Sequence, residues 1–191
     1  MNLHSIIKNR KISREYFKKN VPDEIIDKIV DAGIWGPSLV GMQPWEFLLI
    51  KNKPKISKIA RLMKIKSDEI SFGKNFIKTI SATVENSQAL IAVYNTCDLS
   101  KRVQNDNLLY KVVKLSEIQA IAAAIQNMVL AANYLGVGIC WLSMPVMCED
   151  QINKLLMTDH QLVAILTLGY AKDNIKRAGR KKIEQIYHKI R

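Results

Sequence analysis

The sequence contains few cysteines and no pattern that would use them in a scaffold. Its 191 residues include three cysteines, at positions 97, 140 and 148, and no C-x-x-C pair. So few cysteines exclude a disulfide-stapled secreted domain, and the missing pair excludes a zinc ribbon or a thioredoxin-type site. No N-x-[ST] glycosylation acceptor occurs either. These absences predict a protein of the reducing cytoplasm, with buried structural thiols.

The motifs of several common enzyme classes are also missing. There is no phosphate-binding P-loop, no G-x-S-x-G and no H-E-x-x-H. The three histidines are far apart in the sequence, so no metal site is predicted. Gly136, Gly138 and Trp141 resemble a dinucleotide-binding fingerprint, but they follow a helical pattern and the last glycine is replaced by tryptophan. No motif therefore assigns a catalytic residue.

Long apolar runs of the membrane-spanning kind are absent. Lys8 and Arg10 interrupt any apolar segment at the N-terminus, so no signal peptide is predicted. The stretch 120–148 has no charged residue, but it contains Gln126, Asn133 and two glycines. Its apolar residues recur at helical spacing. We therefore predict a helix buried in a core or a subunit interface, and no membrane association.

Acidic residues are outnumbered, with 29 Lys and Arg against 17 Asp and Glu and a formal net charge of +12. Such a balance is typical of a nucleic-acid surface, of a site for an anionic small ligand, or of a lysine-rich solvated surface. We favour the solvated surface for most of this charge, because no zinc-finger or aromatic RNA-binding motif accompanies the lysines.

The length of 191 residues predicts one folded domain over residues 1–191, and the apolar content of 48% is ordinary for a globular protein. The strand and helix patterns predict the α+β or α/β class. Strand patterns cover residues 46–51, 88–95, 138–143 and 161–169. Helical patterns cover residues 2–9, the segment from Pro22 to Gly36, 55–63, 149–157, and a segment from a capping box at Ser116 to near Gly136. Residues 64–87 fit no pattern and 96–115 predict a mobile polar excursion, so we expect a lid-like region over 64–115. A basic C-terminal extension over 171–191 carries one more helical pattern.

Five segments occur in an order that is typical of one family. They are Arg10-Lys-Ile-Ser-Arg14-Glu-Tyr16 with Val21-Pro22, Gly36-Pro-Ser-Leu-Val-Gly-Met-Gln-Pro-Trp-Glu-Phe47, residues 123–142, the run 162–170 ending in Leu-Gly-Tyr, and Arg180-Lys-Lys-Ile-Glu-Gln-Ile186. Together they resemble the FMN-dependent nitroreductase family. The resemblance implies an α+β fold, with a mixed sheet wrapped by helices. It also implies an intertwined homodimer with FMN sites at the dimer interface.

The resemblance also assigns roles to individual residues. Arg10 and Arg180 match positions that grip the FMN phosphate, and Arg14 matches a basic position at the edge of the ring. The implied cofactor-binding residues are Arg10, Lys11, Arg14, Pro37, Ser38, Leu39, Gly41, Trp141, Leu142, Ser143 and Arg180. Ser38 is equally well explained as a turn cap. Gln126 and Asn127 are interpreted as buried amides that hold neighbouring backbone.

Four positions depart from the family's pattern, and two of them, Ala120 and Ala178, replace a common acidic and a common basic residue. Ile12 and Gly41 stand where the family has a serine and an asparagine, so contacts to the flavin differ there. The Pro37–Gln43 loop matches the segment that approaches the flavin of the neighbouring subunit.

The implied activity is ping-pong transfer of two electrons from NADH or NADPH through FMN to a small acceptor. The acceptor class stays open among nitroaromatics, quinones, flavins and enones. Two alternatives also remain: a flavin storage or sensor protein, and a basic nucleic-acid-binding module without flavin.

Overall fold

A four-stranded sheet forms the centre of the protein. The computed structural model describes residues 2–172 and 179–190. The strands are β1 (Trp45–Ile50), β2 (Ala89–Asn95), β3 (Gly138–Leu142) and β4 (Gln161–Gly169), in the order β1-β2-β4-β3. Seven α-helices lie in the described residues: α1 (Leu3–Asn9), α2 (Asp23–Ile34), α3 (Lys53–Asp68), α4 (Lys74–Asn86), α5 (Asp98–Arg102), α6 (Asn107–Tyr134) and α7 (Glu149–Leu156). The α+β class is confirmed.

The three strand pairings in the sheet are all antiparallel. The described strands therefore do not form the mixed sheet that the resemblance implies. The connections explain this result. The helical hairpin of α3 and α4 reverses the chain between β1 and β2. The single long helix α6 returns the chain so that β3 runs in the direction of β2, and β4 lies between these two strands, antiparallel to both.

Both faces of the sheet are buried, and this explains the continuous apolar run in β2. Successive side chains of a strand point to opposite faces. Ile91 and Val93 enter a core formed with α2 and α6. Leu90 and Ala92 enter a second core formed with α3, α4 and α7. All seven residues of β2 are buried, so no alternation of polar and apolar residues is visible in the sequence.

Helix α6 crosses one face of the sheet and packs tightly against α2. A Cβ atom placed on Gly33 would lie 2.7 Å from Cγ of Met128, and one on Gly36 would lie 2.9 Å from the backbone nitrogen of Ala124. These two glycines therefore let the end of α2 and the loop that follows it approach α6. The predicted end of α6 is confirmed, since the helix stops at Tyr134 and Gly136 adopts a φ of 72°.

The predicted polar excursion at 96–115 is wrong, because α5 and the first turns of α6 occupy it. The side chain of Asp106 caps α6 by accepting hydrogen bonds from the backbone N–H groups of Leu108 and Leu109. The prediction that a capping box at Ser116 starts the helix is also wrong, because α6 begins at Asn107. Ser116 lies inside the helix, where its hydroxyl donates to the carbonyl of Val112 at 2.8 Å.

The segment 64–87, which fits no sequence pattern, contains the end of α3 and all of α4. Gly73 turns the chain between the two helices with a φ of 82°. In the C-terminal extension, residues 173–178 lie outside the described part of the chain. The described remainder contains a single 3-10 turn over Ile183–Gln185.

Among the described residues, none of the helices combines the length and apolar character that crossing a bilayer requires. The same residues contain no cluster of three or more histidine, cysteine or acidic side chains placed to bind a metal.

Candidate functional site

A cavity of about 510 Å³ lies between α1, α6 and β3. Its lining residues are Ile7, Arg10, Ile12, Gln126, Val129, Ile139, Trp141, Ser143 and Arg180. Ligand pockets in proteins span roughly 300–1,000 Å³, so this cavity is large enough for a small cofactor. Four of the residues predicted to bind the cofactor meet here: Arg10, Trp141, Ser143 and Arg180.

Two arginines from opposite ends of the chain make the cavity cationic. Arg10 follows α1 directly and is half-buried, whereas Arg180 lies in the C-terminal extension and is exposed. None of the described lining residues is acidic. Guanidinium groups bind phosphate and carboxylate oxygens through paired N–H donors. The electrostatics of the cavity therefore favour an anionic ligand.

The segment Arg10–Ser13, here called the strap, places Arg10 at the cavity. The backbone N–H of Lys11 donates to Oδ1 of Asn133 on α6 at 2.8 Å. The amide of Asn133 is itself fixed, because its Nδ2 donates to the carbonyl of Val129 at 2.9 Å. At the other end of the strap, the backbone N–H of Ser13 donates to the carbonyl of Ile139 in β3 at 3.1 Å. The strap is thus held between α6 and β3.

Tight packing at two glycines brings the strap against the sheet. A Cβ on Gly138 would lie 2.8 Å from Oγ of Ser13, and a Cβ on Gly169 would lie 2.6 Å from the ring of Tyr16. The hydroxyl of Tyr16 donates to the carbonyl of Ser13 at 2.7 Å and lies 2.6 Å from Oγ1 of Thr167. Neither glycine could carry a side chain without moving the segment that positions Arg10.

The end of β3 supplies the opposite wall of the cavity. The side chain of Trp141 is 38% exposed and lines the cavity, whereas its neighbours Cys140 and Leu142 are buried in the second core. This alternation follows from the pleat of the strand. Ser143 follows the strand and is exposed at the cavity. A flat ligand could therefore contact an aromatic side chain and the polar backbone at the end of β3.

A sequence model of the Nitroreductase family matches residues 7–170 of this chain. The chain belongs to the Nitroreductase family. An oxidoreductase, the enzyme class predicted from the sequence, is confirmed by this membership. The strap, α6 and β3 lie within the matched range, which begins inside α1 at the cavity-lining residue Ile7.

Related proteins agree with this assignment. A Methanothermobacter thermautotrophicus protein, provisionally named NADH dehydrogenase/NAD(P)H nitroreductase, is 30% identical over 179 residues, which cover 91% of this chain and 80% of that protein. Among solved structures, a BluB-like flavoprotein from Clostridium difficile has 27% identity and a TM-score of 0.83, with 100% of both chains covered. A provisionally named nitroreductase from Desulfovibrio desulfuricans, solved in complex with FMN, has 24% identity and a TM-score of 0.76, covering 100% of this chain and 98% of that chain, and shows the shared fold.

The resemblance also assigns four residues of one loop to cofactor binding: Pro37, Ser38, Leu39 and Gly41. None of these four residues lines the cavity of its own chain. The loop follows Gly36, which packs at Ala124 of α6. At about 100° per residue, Gln126 is turned about 160° away from Ala124 around the helix. The loop and the cavity therefore lie on different sides of α6.

The hydroxyl of Ser38 accepts a hydrogen bond from the backbone N–H of Gln43 at 3.1 Å, as a turn cap would. Three further predicted residues also lie outside the lining of the cavity: Lys11, Arg14 and Leu142. The side chain of Lys11 is exposed, that of Arg14 is half-buried, and that of Leu142 is in the core. Their contacts with a cofactor stay predictions.

The interpretation of Gln126 as a buried amide is wrong, because its side chain is exposed and lines the cavity. Sequence reasoning also missed Asn133, Gly138 and Gly169 as residues that position the strap. The two glycines lie in sequence motifs at the ends of predicted strands, and this was the only signal available from the sequence. Their close partners in residues 13–16 follow only from the fold.

Proposed function

We propose that this nitroreductase-family protein is an FMN-dependent oxidoreductase that uses NADH or NADPH as electron donor. The observation that carries the proposal is the meeting of Arg10 and Arg180 at one cavity whose described lining residues include no acidic side chain. The residues present fit FMN: the two guanidinium groups suit its phosphate, and Trp141 and the end of β3 suit its flat ring. The FMN-bound relative from Desulfovibrio desulfuricans supports the choice of flavin.

When bound, the flavin supplies the hydride chemistry, and the protein supplies binding, orientation and electrostatics. Arg10 and Arg180 would hold the phosphate end, with Arg10 fixed by the strap. The described lining residues contain no histidine, cysteine, tyrosine or carboxylate, so we assign no side chain there as a proton donor. The contribution of this chain is therefore placement of the cofactor and stabilisation of negative charge.

A homodimer is part of the proposal, because apolar side chains cover an exposed face near the start of α6. Leu108, Val112 and Leu115 are 76%, 51% and 59% exposed in the single chain. Exposed apolar patches of this kind mark protein–protein interfaces. Within one chain, the Pro37–Gly41 loop does not line the cavity. A second copy that covers the exposed face could bring its own Pro37–Gly41 loop to the cavity of the first copy. Sedimentation at decreasing concentration should show a dimer, and a stable folded monomer at micromolar concentration would contradict it.

We propose ping-pong kinetics, with the nicotinamide nucleotide and the acceptor using the open side of the cavity in turn. The acceptor would be a small molecule, such as a nitroaromatic, a quinone, a flavin or an enone. Apolar side chains of Ile7 and Ile12 in the lining are compatible with all four classes.

The deciding experiment is an anaerobic absorbance titration of the purified protein. We expect flavin bands that bleach on addition of NADH or NADPH and return with an acceptor. Flavin that binds but is not reduced by either nucleotide would favour the storage or sensor alternative. A colourless protein that gains no flavin from added FMN would refute the proposal.

A further inference from the structure

A cysteine and a lysine touch in a buried polar cluster where β2 ends and α5 begins. Nζ of Lys114 on α6 lies 3.1 Å from Sγ of Cys97 and 2.8 Å from Oε1 of Gln161. Sγ of Cys97 lies 3.4 Å from the same Gln161 oxygen. Cys97 is 8% exposed, and Lys114 is half-buried. None of the three residues lines the cavity that carries Arg10.

The surrounding hydrogen bonds fix both partners of this contact. Oδ1 of Asn95 accepts from the backbone N–H of Cys97 at 3.0 Å, and its Nδ2 donates to Gln161 at 3.2 Å. The same Nδ2 donates to Oε2 of Glu117, one helical turn from Lys114, at 3.0 Å. The fully buried Glu117 also accepts from the backbone N–H of Ser100 at 3.0 Å. The distance between sulfur and amine is therefore set by the joined ends of β2, α5 and α6.

We propose that Cys97 and Lys114 are a site of oxidative cross-linking, at which a peroxide produces a covalent bond between Sγ and Nζ. The ligand class of the site is a small hydroperoxide, hydrogen peroxide being the simplest. The pairing of a nucleophilic sulfur with an amine at contact distance carries the proposal.

The reaction has two steps. First, the Cys97 thiol gives its proton to a solvent base, and the resulting thiolate attacks one peroxide oxygen, so that the O–O bond breaks. Sulfur is oxidised to sulfenic acid, the peroxide is reduced, and the leaving hydroxide takes a proton from the Lys114 ammonium to form water. Second, the neutral amine attacks the sulfenic sulfur. An S–N bond forms, the S–O bond breaks, and the leaving hydroxide takes the amine proton to form a second water. Thiols reverse the product by attacking its sulfur.

The other two cysteines provide an internal comparison. Cys140 and Cys148 are buried and not disulfide-bonded. Burial raises the pKa of the Cys148 thiol, which lowers its reactivity towards peroxide. The sulfur of Cys97 has the amine of Lys114 at 3.1 Å, which is the contact that the second step requires. We therefore expect the cross-link at Cys97.

The test is peptide mapping of the full-length protein after treatment with hydrogen peroxide. Trypsin releases Cys97 in the peptide 79–101 and cuts after Lys114, but it cannot cut after a modified lysine. The expected product is peptide 79–101 joined to the uncut peptide 112–154, and its mass is two hydrogen atoms less than the sum of those two peptides. Reduction with dithiothreitol before digestion should restore the separate peptides.

Two variants separate the steps. Cys97→Ser should abolish the joined peptide. Lys114→Arg keeps a cation but lacks the nucleophilic amine, so sulfenic acid should accumulate at Cys97 and be trapped by dimedone. Circular dichroism shows whether each variant folds. If a variant does not fold, peptide mapping of the protein with its natural sequence still tests whether the cross-link forms.

Three outcomes would overturn the proposal: Cys97 unchanged by peroxide, Cys97 converted to sulfinic acid without cross-linking, or a disulfide to Cys140 or Cys148. A disulfide leaves Lys114 open to trypsin, so it yields peptide 115–154 joined to 79–101. The result is independent of flavin binding, since the cluster is separate from the cavity.

Discussion

Replacing Arg10 with alanine tests the assignment of the cavity most directly. Arg10 lines the cavity together with Arg180, and the strap that carries it is tied to α6 and β3. The substitution removes one of the two guanidinium groups assigned to the FMN phosphate. Because the bonds that hold the strap use backbone atoms of Lys11 and Ser13, they do not depend on the Arg10 side chain. We therefore expect a local loss of binding without loss of the fold.

The expected loss follows from the energy of a charged hydrogen bond. Such a bond contributes roughly 1.5–3 kcal/mol, and every 1.4 kcal/mol changes a dissociation constant about tenfold. Arg10→Ala should thus weaken FMN binding by about ten- to a hundredfold. Riboflavin has the same ring and ribityl chain but no phosphate, so its affinity should hardly change. The loss should shrink at high salt, since Arg10 is only half-buried.

The assay is titration of apoprotein with FMN and with riboflavin, followed by quenching of flavin fluorescence. Arg61→Ala is a matched control, because Arg61 is an exposed arginine on α3 that does not line the cavity. This control should bind both ligands as the unmodified protein does. An equal loss for FMN and riboflavin, or no loss for either, would refute the assignment of Arg10 to the phosphate.

Three further substitutions test other parts of the site. Arg14→Gln should lower the reduction potential of bound FMN by about 30 mV, which corresponds to roughly 1.4 kcal/mol for a two-electron couple, in a redox titration. An unchanged potential would place Arg14 away from the ring. Asn133→Ala should release the strap and weaken FMN more than riboflavin, and equal weakening in the same titration would argue for a purely structural role. Gly169→Ala places a methyl group against the Tyr16 ring. It should lower the free energy of unfolding, measured by urea denaturation, by about 1–3 kcal/mol. Gly179→Ala, which has open space around it, is the control, and equal stability of the two variants would contradict the packing argument.

Secondary structure with a strong local signal could be predicted from the sequence. The runs at 88–95 and 161–169 correspond to β2 and β4, and the segment that starts at Pro22 corresponds to α2. Apolar periodicity and turn residues determine such elements within a few neighbouring positions. The start of α6 was predicted too late because Ser116 offers the same capping pattern as a true helix start. The helix instead begins after Asp106, whose side chain forms the observed cap.

The candidate site was predictable in part, and for a different reason. Arg10, Trp141, Ser143 and Arg180 lie in motifs that resemble one family, so the sequence by itself determined the class of cofactor to consider. The tertiary structure decided which of the predicted residues meet in one chain. The fold places Gln126 at the cavity. It places the Pro37–Gly41 loop on the other side of α6, next to Gly36 and Ala124.

The structure alone also decided which residues hold the site in place. The bond between Asn133 and the Lys11 backbone joins positions 122 residues apart, and the contact of Gly169 with Tyr16 joins two distant segments. No local sequence pattern identifies such pairs, because the two partners are distant in the sequence and local patterns report only on neighbouring residues. The sequence determines where helices and strands form through short-range hydrogen bonds and periodicity. Only packing across the sheet determines which backbone groups and small residues come close enough to position Arg10.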